Sequence, residues 1–331
     1  MAGVATAHRP KTGSDAESAI PNAPRHLLSA ADLVGIGLER LLVRAESLRR
    51  DRLAGRRAPL LAGRQVALLF EKPSLRTRVS FDVGVNLLGG HAVYLGPDEV
   101  GLGRRETPAD VARNLSRWVD AIVLRTFAHR TLVELAEASA VPVVNALTDR
   151  EHPCQALADL LTLRQRLGSL CGRRLAFVGD GNNVCHSLLL AGATAGLEMR
   201  VATPAGYEPD ASVVSEAGTL ARLSGGSVVV GDDPRAAVKG VDAVYTDVWA
   251  SMGAEPEAAA RRERFAGFRV DARLLAGAPR ALVMHCLPAH RGEEISDEAL
   301  DGPHSVVLDQ AENRLYVQQA LLLELLEPEL R

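Results

Sequence analysis

Short apolar runs alternate with longer amphipathic segments along most of this 331-residue chain. The runs are rich in Val, Leu and Ala and end at Gly, Pro, Asp or Asn, which is typical of strands buried on both faces. They predict strands at Val66–Phe70, His91–Leu95, Ala121–Leu124, Val141–Asn145, Leu175–Gly179, Met199–Ala202, Ser227–Val230, Ala243–Thr246 and Ala281–Cys286. The intervening segments predict helices near Ser74–Leu88, Pro108–Val119, Leu132–Ser139, His152–Leu167, Asn183–Ala195, Ala211–Leu223, Asp271–Leu275 and Ala311–Leu326.

This alternation predicts an α/β fold of two domains, each a mainly parallel sheet flanked by helices. We place the first domain at residues 26–150 and the second at residues 151–310. The helix that begins at His152 would join the two domains.

Residues 1–25 are rich in Ala, Ser, Pro and charge and lack periodicity, which indicates a mobile tail. A transit peptide is the alternative interpretation of this segment. Asp15 and Glu17 argue against it, because transit peptides contain few acidic residues.

Composition narrows the class of protein. The net charge of −3 gives no basic field for nucleic acid, and no apolar run is long enough to span a bilayer. The four cysteines form no CxxC pair and no zinc spacing, so we expect reduced thiols in a cytoplasmic protein without a metal site.

The segment Phe70–Arg78 carries the most informative chemistry. It lies where a predicted strand turns into a predicted helix, a place that offers free backbone N–H groups to an anion. Ser74, Arg76 and Thr77 add side-chain donors suited to phosphate. The alternative is a helix-capping Ser74 followed by solvated arginines, and the segment alone does not decide between the two.

Three later motifs bear on the same question: His152–Gln155 (His-Pro-Cys-Gln), Asp247–Gly253 (Asp-Val-Trp-Ala-Ser-Met-Gly) and His285–Pro288 (His-Cys-Leu-Pro). With Phe70–Arg78, and in this order, they resemble the aspartate/ornithine carbamoyltransferase family. The Ser-Met-Gly and His-Cys-Leu-Pro sequences are similar to its ornithine branch. The resemblance extends from about His26 to the C-terminus.

The resemblance implies carbamoyl transfer from carbamoyl phosphate to the side-chain amine of L-ornithine, giving citrulline and phosphate in arginine biosynthesis. It implies a homotrimer or a higher assembly of trimers, no cofactor, and a last helix (residues 311–331) that returns to the first domain. The carbamoyl-phosphate site would comprise Ser74, Leu75, Arg76, Thr77, Arg125, His152, Gln155, Cys286, Leu287 and Arg314. The ornithine site would comprise Asn183, Asp247, Ser251 and Met252. The catalytic residues would be Arg125, His152, Asp247 and Cys286, with Lys72 and Glu106 supporting the phosphate loop.

The proton of the attacking amine has two candidate acceptors. An amine with a pKa near 10.4 is neutral in only about one molecule in 2,000 at pH 7, so the enzyme must bind or produce the neutral form. A carboxylate raises an amine pKa, so Asp247 is better suited to orienting the amine than to deprotonating it. Cys286 and the departing phosphate both remain candidates for the proton.

Other functions remain open at this level. Gly179–Asn183 suggests a dinucleotide loop, but Val184 stands where a third glycine is needed, so we do not expect NAD. Leu75 replaces a threonine usual in the family, and Gly101 replaces a Gln or His, for which Arg104 or Arg105 could compensate. These departures allow a paralogue that carbamoylates a related amine, or a non-catalytic ligand-binding homologue.

Overall fold

The computed structural model describes residues 25–250 and 257–326. The predicted strands are confirmed, with end points shifted by at most two residues. They are β1 (Gln65–Phe70), β2 (His91–Leu95), β3 (Ala121–Arg125), β4 (Val143–Leu147), β5 (Arg174–Val178), β6 (Glu198–Ala202), β7 (Ser227–Gly231), β8 (Ala243–Thr246) and β9 (Leu282–His285).

The strands form two parallel sheets, in the orders β2-β1-β3-β4 and β7-β6-β5-β8-β9. The strand order reverses between β1 and β3 in the first sheet and between β5 and β8 in the second. Loops that leave the carboxyl ends of strands on either side of such a reversal diverge and open a crevice. The two crevices therefore define where a ligand can bind.

Helices cover both sheets and confirm the predicted two-sheet α/β fold. They are α1 (Leu33–Ile36), α2 (Leu38–Leu53), α3 (Leu75–Leu87), α4 (Pro97–Val100), α5 (Pro108–Leu115), α6 (His129–Ala138), α7 (Pro153–Leu167), α8 (Asn183–Thr194), α9 (Ala211–Ser224), α10 (Pro234–Val238), α11 (Ala258–Arg264), α12 (Ala272–Leu275), α13 (Asp297–Leu300) and α14 (Val307–Leu326). Single 3-10 turns occur at Ala30–Asp32 and Ala266–Phe268.

Helix α2 is absent from the prediction, although its signal is in the sequence. Leu38, Leu41, Leu42 and Ala45 are buried and follow the i, i+3, i+4, i+7 spacing of one helical face. Its other positions are mostly charged, so the helix lacks the long apolar run that marks a core segment. No helix in the described ranges is both long and apolar enough to cross a bilayer.

Helix α14 begins at Val307, earlier than the predicted Ala311, and packs against α7, α2 and α3. Every residue of α7 from Pro153 to Leu163 is buried. Since α3 follows β1 and α7 follows β4, α14 returns to the first sheet's helices as predicted. Arg314 therefore lies about two turns inside α14 rather than at its opening, which corrects the predicted position.

Candidate active site

A cavity of about 570 Å³ lies where the carboxyl ends of the two sheets face each other. All the predicted site residues within the described ranges line it: Ser74, Leu75, Arg76, Thr77, Arg125, His152, Gln155, Asn183, Asp247, Cys286, Leu287 and Arg314. The predicted residues Ser251 and Met252 lie outside the described ranges. The fold thus brings together residues from seven separate stretches of the chain.

The N-terminus of α3 forms one wall of the cavity. Ser74 caps the helix, its Oγ accepting a 3.3 Å hydrogen bond from the Thr77 amide. Helix geometry leaves the Leu75 and Arg76 amides without an intrahelical acceptor, so this end of the helix can receive an anion. The Leu75 side chain is 73% exposed, and it lines both this cavity and an adjacent apolar groove.

Three guanidinium groups make this side of the cavity positive. Burial, together with Arg314 and Arg76, lowers the pKa of Arg125 to about 10. Burial also lowers the pKa of Arg314, and Arg76 adds to that effect. These neighbouring arginines therefore raise the free energy of the charged forms of Arg125 and Arg314, and a bound anion would relieve that repulsion.

Arg314 connects three helices at the cavity wall. Its Nη1 donates to Gln155 Oε1 of α7 at 2.7 Å, and its Nη2 donates to Thr77 Oγ1 of α3 at 2.6 Å. Its side chain is only 3% exposed. Arg314 is therefore a buried cation and not a solvated surface charge.

His152 is the buried N-cap residue of α7, and its side chain is neutral at physiological pH. Burial lowers its pKa well below the usual 6.5, and Arg314, Arg125 and Arg76 lower it further. Its Nδ1 has no hydrogen-bond partner among the described residues. A neutral imidazole can donate one hydrogen bond, which is the property needed to stabilise a developing oxyanion.

The backbone of His152 is held by a residue that sequence reasoning missed. The His152 amide donates to Ser187 Oγ at 2.8 Å, and Ser187 donates to Glu151 Oε2 at 3.1 Å. Glu151 also accepts from the Ala30 amide at 2.8 Å. Glu151 stands next to His152 in the sequence, but its partners are distant in the chain and no spacing reveals them.

The opposite side of the cavity carries Asp247 and Cys286. The Cys286 thiol donates to Asp247 Oδ1 at 3.0 Å, and Asn182 Nδ2 donates to Asp247 Oδ2 at 2.8 Å. Burial raises the pKa of the Cys286 thiol well above 9, and Asp247 raises it further. Cys286 is therefore a protonated thiol beside a carboxylate.

Asn182, the neighbour of the predicted ornithine ligand Asn183, contacts Asp247. Asn182 also caps α8, its Oδ1 accepting from the amides of Val184 and Cys185. Asn183 lines the cavity, but its Nδ2 donates to the Thr148 carbonyl at 2.6 Å. From the sequence, either of these two adjacent asparagines could cap the helix. The structure shows that Asn182 is the cap.

The backbone after β9 is held by a second buried pair that the sequence did not indicate. His285 Nε2 bonds Glu294 Oε1 at 3.1 Å, and both side chains are fully buried. The Leu287 amide donates to His285 Nδ1 at 2.8 Å, so Nε2 carries the ring proton. This contact fixes Leu287, whose φ of 57° lies in the left-handed region that non-glycine residues rarely adopt.

Asp247, His285 and Cys286 place possible metal-ligand atoms within 4.8 Å of one another. Hydrogen bonds already engage both nitrogens of His285 and the Cys286 thiol. An ion there would have to displace these contacts.

The glycines after β5 serve close packing. A Cβ on Gly181 would lie 2.3 Å from the Pro209 nitrogen, so only glycine fits. Asp180 beside it accepts from Arg261 at 2.7 Å, and burial raises its pKa to about 6. Packing thus explains Gly181, and an ion pair explains Asp180.

Lys72 and Glu106, the two residues predicted to support the phosphate loop, differ in their position relative to the cavity. Lys72 lines the cavity, and its Nζ lies 4.2 Å from the centre of the Phe127 ring. Glu106 is exposed and is not among the described residues that line the cavity.

Comparisons with known proteins agree with this geometry. The carbamoyl-P binding domain of aspartate/ornithine carbamoyltransferase matches residues 25–165, and the Asp/Orn binding domain matches residues 171–325. A relative from Acidothermus cellulolyticus, named ornithine carbamoyltransferase, is 57% identical over 306 residues, or 92% of this chain and 97% of its own.

Solved structures give the same result. Ornithine carbamoyltransferase from Pyrococcus furiosus aligns with a TM-score of 0.89 and 48% identity, covering 92% of this chain and 97% of that one. An N-acetyl-L-ornithine transcarbamylase structure aligns with a TM-score of 0.82 and 33% identity, covering 91% of this chain and 99% of that one. This chain belongs to the aspartate/ornithine carbamoyltransferase family.

Proposed function

We propose that this protein transfers the carbamoyl group of carbamoyl phosphate to the side-chain amine of L-ornithine, giving citrulline and phosphate. The main support for this proposal is that one side of the cavity is positively charged and the opposite side carries a carboxylate. Arg76, Arg125 and Arg314 surround one side, and the Asp247 carboxylate lies on the other. A doubly charged phosphate and a cationic amine fit such a site from opposite directions.

In the proposed reaction, the phosphate lies on the N-terminus of α3 with Ser74, Arg76 and Thr77. Arg125 and the neutral His152 donate hydrogen bonds to the carbonyl oxygen as it becomes negative. Gln155 and the backbone of Cys286 and Leu287 would hold the carbamoyl amide.

Asp247 would orient the amine for attack on the carbonyl carbon, and Asn183 would meet the α-carboxylate end of ornithine. The ammonium group first gives up one proton to solvent, the neutral amine then forms the new C–N bond, and the bond to the phosphate oxygen breaks. Since Cys286 already holds its proton beside Asp247, we assign the amine proton to the departing phosphate. Ser251 and Met252 remain proposed ornithine contacts on sequence grounds alone.

The test is citrulline formation from carbamoyl phosphate and ornithine by the purified protein, with putrescine, lysine and N-acetylornithine as competing amines. We expect ornithine to be preferred. Preference for another amine would indicate a paralogue, and binding of carbamoyl phosphate without turnover would indicate a non-catalytic homologue.

We further propose a cytoplasmic homotrimer, or an assembly of trimers, acting in arginine biosynthesis. The four cysteines are free, which suits a reducing compartment. Leu75, Val79 and Val83 expose apolar surface along one face of α3, 73%, 49% and 39% respectively, which suits contact with another subunit. Light scattering of the purified protein gives the mass of the assembly, and a monomeric mass would contradict the trimer.

A further inference from the structure

Asp159 is a buried carboxylate to which the reaction above gives no role. It lies on α7 one turn after Gln155, with a relative exposure of 0%. Among the described residues it forms no salt bridge. Two neutral amides donate to it, and the Tyr245 hydroxyl lies close enough to lower its pKa. Gln155 Nε2 donates to Oδ1 at 2.9 Å and Gln310 Nε2 donates to the same oxygen at 2.7 Å. Burying a carboxylate without a cationic partner is costly, so its presence requires an explanation.

Asp159 fixes which way the Gln155 carboxamide faces. A carboxylate only accepts hydrogen bonds and a guanidinium only donates them. Because Gln155 lies between Asp159 and Arg314, its nitrogen must face Asp159 and its oxygen must face Arg314 and the cavity. The reverse orientation would place N–H groups against Arg314 and an oxygen against Asp159.

The same logic applies to Gln310 on α14. Its nitrogen donates to Asp159, so its oxygen is free to accept the His285 amide at 3.0 Å. His285 directly precedes Cys286 at the end of β9. One carboxylate therefore orients two glutamine side chains, one that lines the cavity and one that bonds the end of β9.

Burial raises the pKa of Asp159 to about 7, and the hydrogen bonds from Gln310 and Gln155, the nearby Tyr245 hydroxyl and the charge of Arg314 limit that rise. The two amides thus favour the ionised form, which is the form that accepts from both.

We propose that Asp159 is a positioning residue that makes the cavity selective for acyl phosphates bearing an N–H group. It does so by holding the Gln155 oxygen towards the ligand as a hydrogen-bond acceptor. The proposal rests on the proposed function, in which carbamoyl phosphate is the ligand. Acetyl phosphate is the matched probe, because it has the same phosphate and carbonyl but a methyl group in place of the amine.

The test compares binding of carbamoyl phosphate and acetyl phosphate to Asp159→Asn and to the wild type by titration calorimetry. An asparagine can donate as well as accept, so only Arg314 then favours the native orientation of Gln155, and its carboxamide is held less firmly. We expect the preference for carbamoyl phosphate to fall about tenfold, corresponding to one hydrogen bond with an unpaired partner, while acetyl phosphate affinity changes less than twofold. Equal weakening of both ligands, or an unchanged preference, would overturn the proposal.

Two further variants keep the test decisive. Thr162→Val is the matched control, because Thr162 lies on α7 in the same buried contact with α14 and accepts from Asn313, away from Gln155. It should lower thermal stability without changing ligand preference. Gln155→Met should lose the preference by itself, and adding Asp159→Asn to it should change the preference no further.

If Asp159→Asn fails to fold, Gln155→Met alone carries the test, and an unchanged preference in that variant rejects the proposal. The binding measurements need no turnover, so they can be made whether or not the protein forms citrulline. A wild type that makes no citrulline would refute the reaction while leaving the ligand preference measurable. A wild type that makes citrulline, with preference unaffected by Asp159→Asn, would refute only the role of Asp159.

Discussion

Arg314 and Thr77 are 237 residues apart in the chain, yet the Arg314 guanidinium donates a 2.6 Å hydrogen bond to the Thr77 hydroxyl. Both side chains are almost fully buried, at 3% and 1% exposure. Through this bond the last helix holds the phosphate-facing end of α3. A guanidinium N–H left without an acceptor at such a site costs more than an exposed one, because water cannot replace the lost partner.

Replacing Thr77 by Val should therefore weaken carbamoyl phosphate use. We expect kcat/KM for carbamoyl phosphate to fall by roughly tenfold, because the Arg314 N–H loses its acceptor and the cavity loses a hydroxyl. Thr77→Ser keeps the hydroxyl and should stay within about threefold of the wild type. Equal kinetics for the Val and Ser variants would show that the methyl packing of Thr77 matters and its hydroxyl does not.

Arg76 should contribute more to transition-state stabilisation than Arg78, the other arginine on α3. Arg76→Ala should cost roughly 2–4 kcal/mol of transition-state stabilisation, measured as loss of kcat/KM, because it removes a charge-assisted bond to phosphate. Arg78→Ala is the control, since Arg78 is exposed and stacks 3.5 Å from the centre of the Tyr94 ring. A value for Arg76→Ala within threefold of the wild type rejects its assignment to the phosphate.

A change at Leu75 should strengthen carbamoyl phosphate binding, whereas the changes at Thr77 and Arg76 should weaken its use. Leu75→Thr should tighten carbamoyl phosphate binding about fivefold, or ~1 kcal/mol, by adding a hydroxyl at the helix N-terminus. The preference among amines should not change. Val79→Thr, one turn further along the same exposed face, should leave binding unchanged. Weaker binding by Leu75→Thr would mean that the leucine packs favourably against another group in the assembled enzyme.

The buried, neutral side chain of His152 should make the stability of the fold depend on pH. Its folded pKa lies below its unfolded value of 6.5, because burial and three arginines disfavour the charged ring. Its contribution to stability is therefore fully present above pH 6.5 and is lost as the pH falls, by up to about 1.4 kcal/mol per pH unit. His152→Gln should show a shallower loss of stability between pH 7 and 5 in urea unfolding.

His290→Gln is the control for that measurement, since about half of the His290 side chain is exposed. Its stability should follow the wild-type pH profile. If His152→Gln also follows the wild-type profile, the imidazole is not held in its neutral form by the fold.

Much of the fold and the cavity lining could be predicted from the sequence, because each depends on local patterns. Residues 70–78 and His285–Pro288 lie at strand ends, and the carboxyl ends of parallel strands meet at one edge of a sheet. The orientation of Gln155 could not be predicted. It depends on Asp159 and on Arg314, which is 159 residues from Gln155. Such pairs have no fixed spacing, so they become visible only once the helices are packed.

The last prediction concerns the order of substrate binding. The three arginines stand in the half of the cavity built by α3, β3 and α14, and Asp247 stands in the half built by the second sheet. A cationic amine that enters first meets the unneutralised arginines, whereas carbamoyl phosphate neutralises them and supplies the carbonyl that the amine approaches. Carbamoyl phosphate should therefore bind first.

Titration calorimetry with norvaline, which lacks the reactive amine, measures this coupling without turnover. Norvaline should bind weakly or undetectably to the free enzyme and at least tenfold more tightly when carbamoyl phosphate is present, a coupling of about 1.4 kcal/mol. Because coupling is reciprocal, norvaline should tighten carbamoyl phosphate binding by the same factor. Inorganic phosphate should increase the affinity for ornithine more than the affinity for norvaline. Only ornithine carries a charged side-chain amine, which the arginines repel when no anion is bound. Equal norvaline affinity with and without carbamoyl phosphate would indicate two independent pockets and would reject the ordered site.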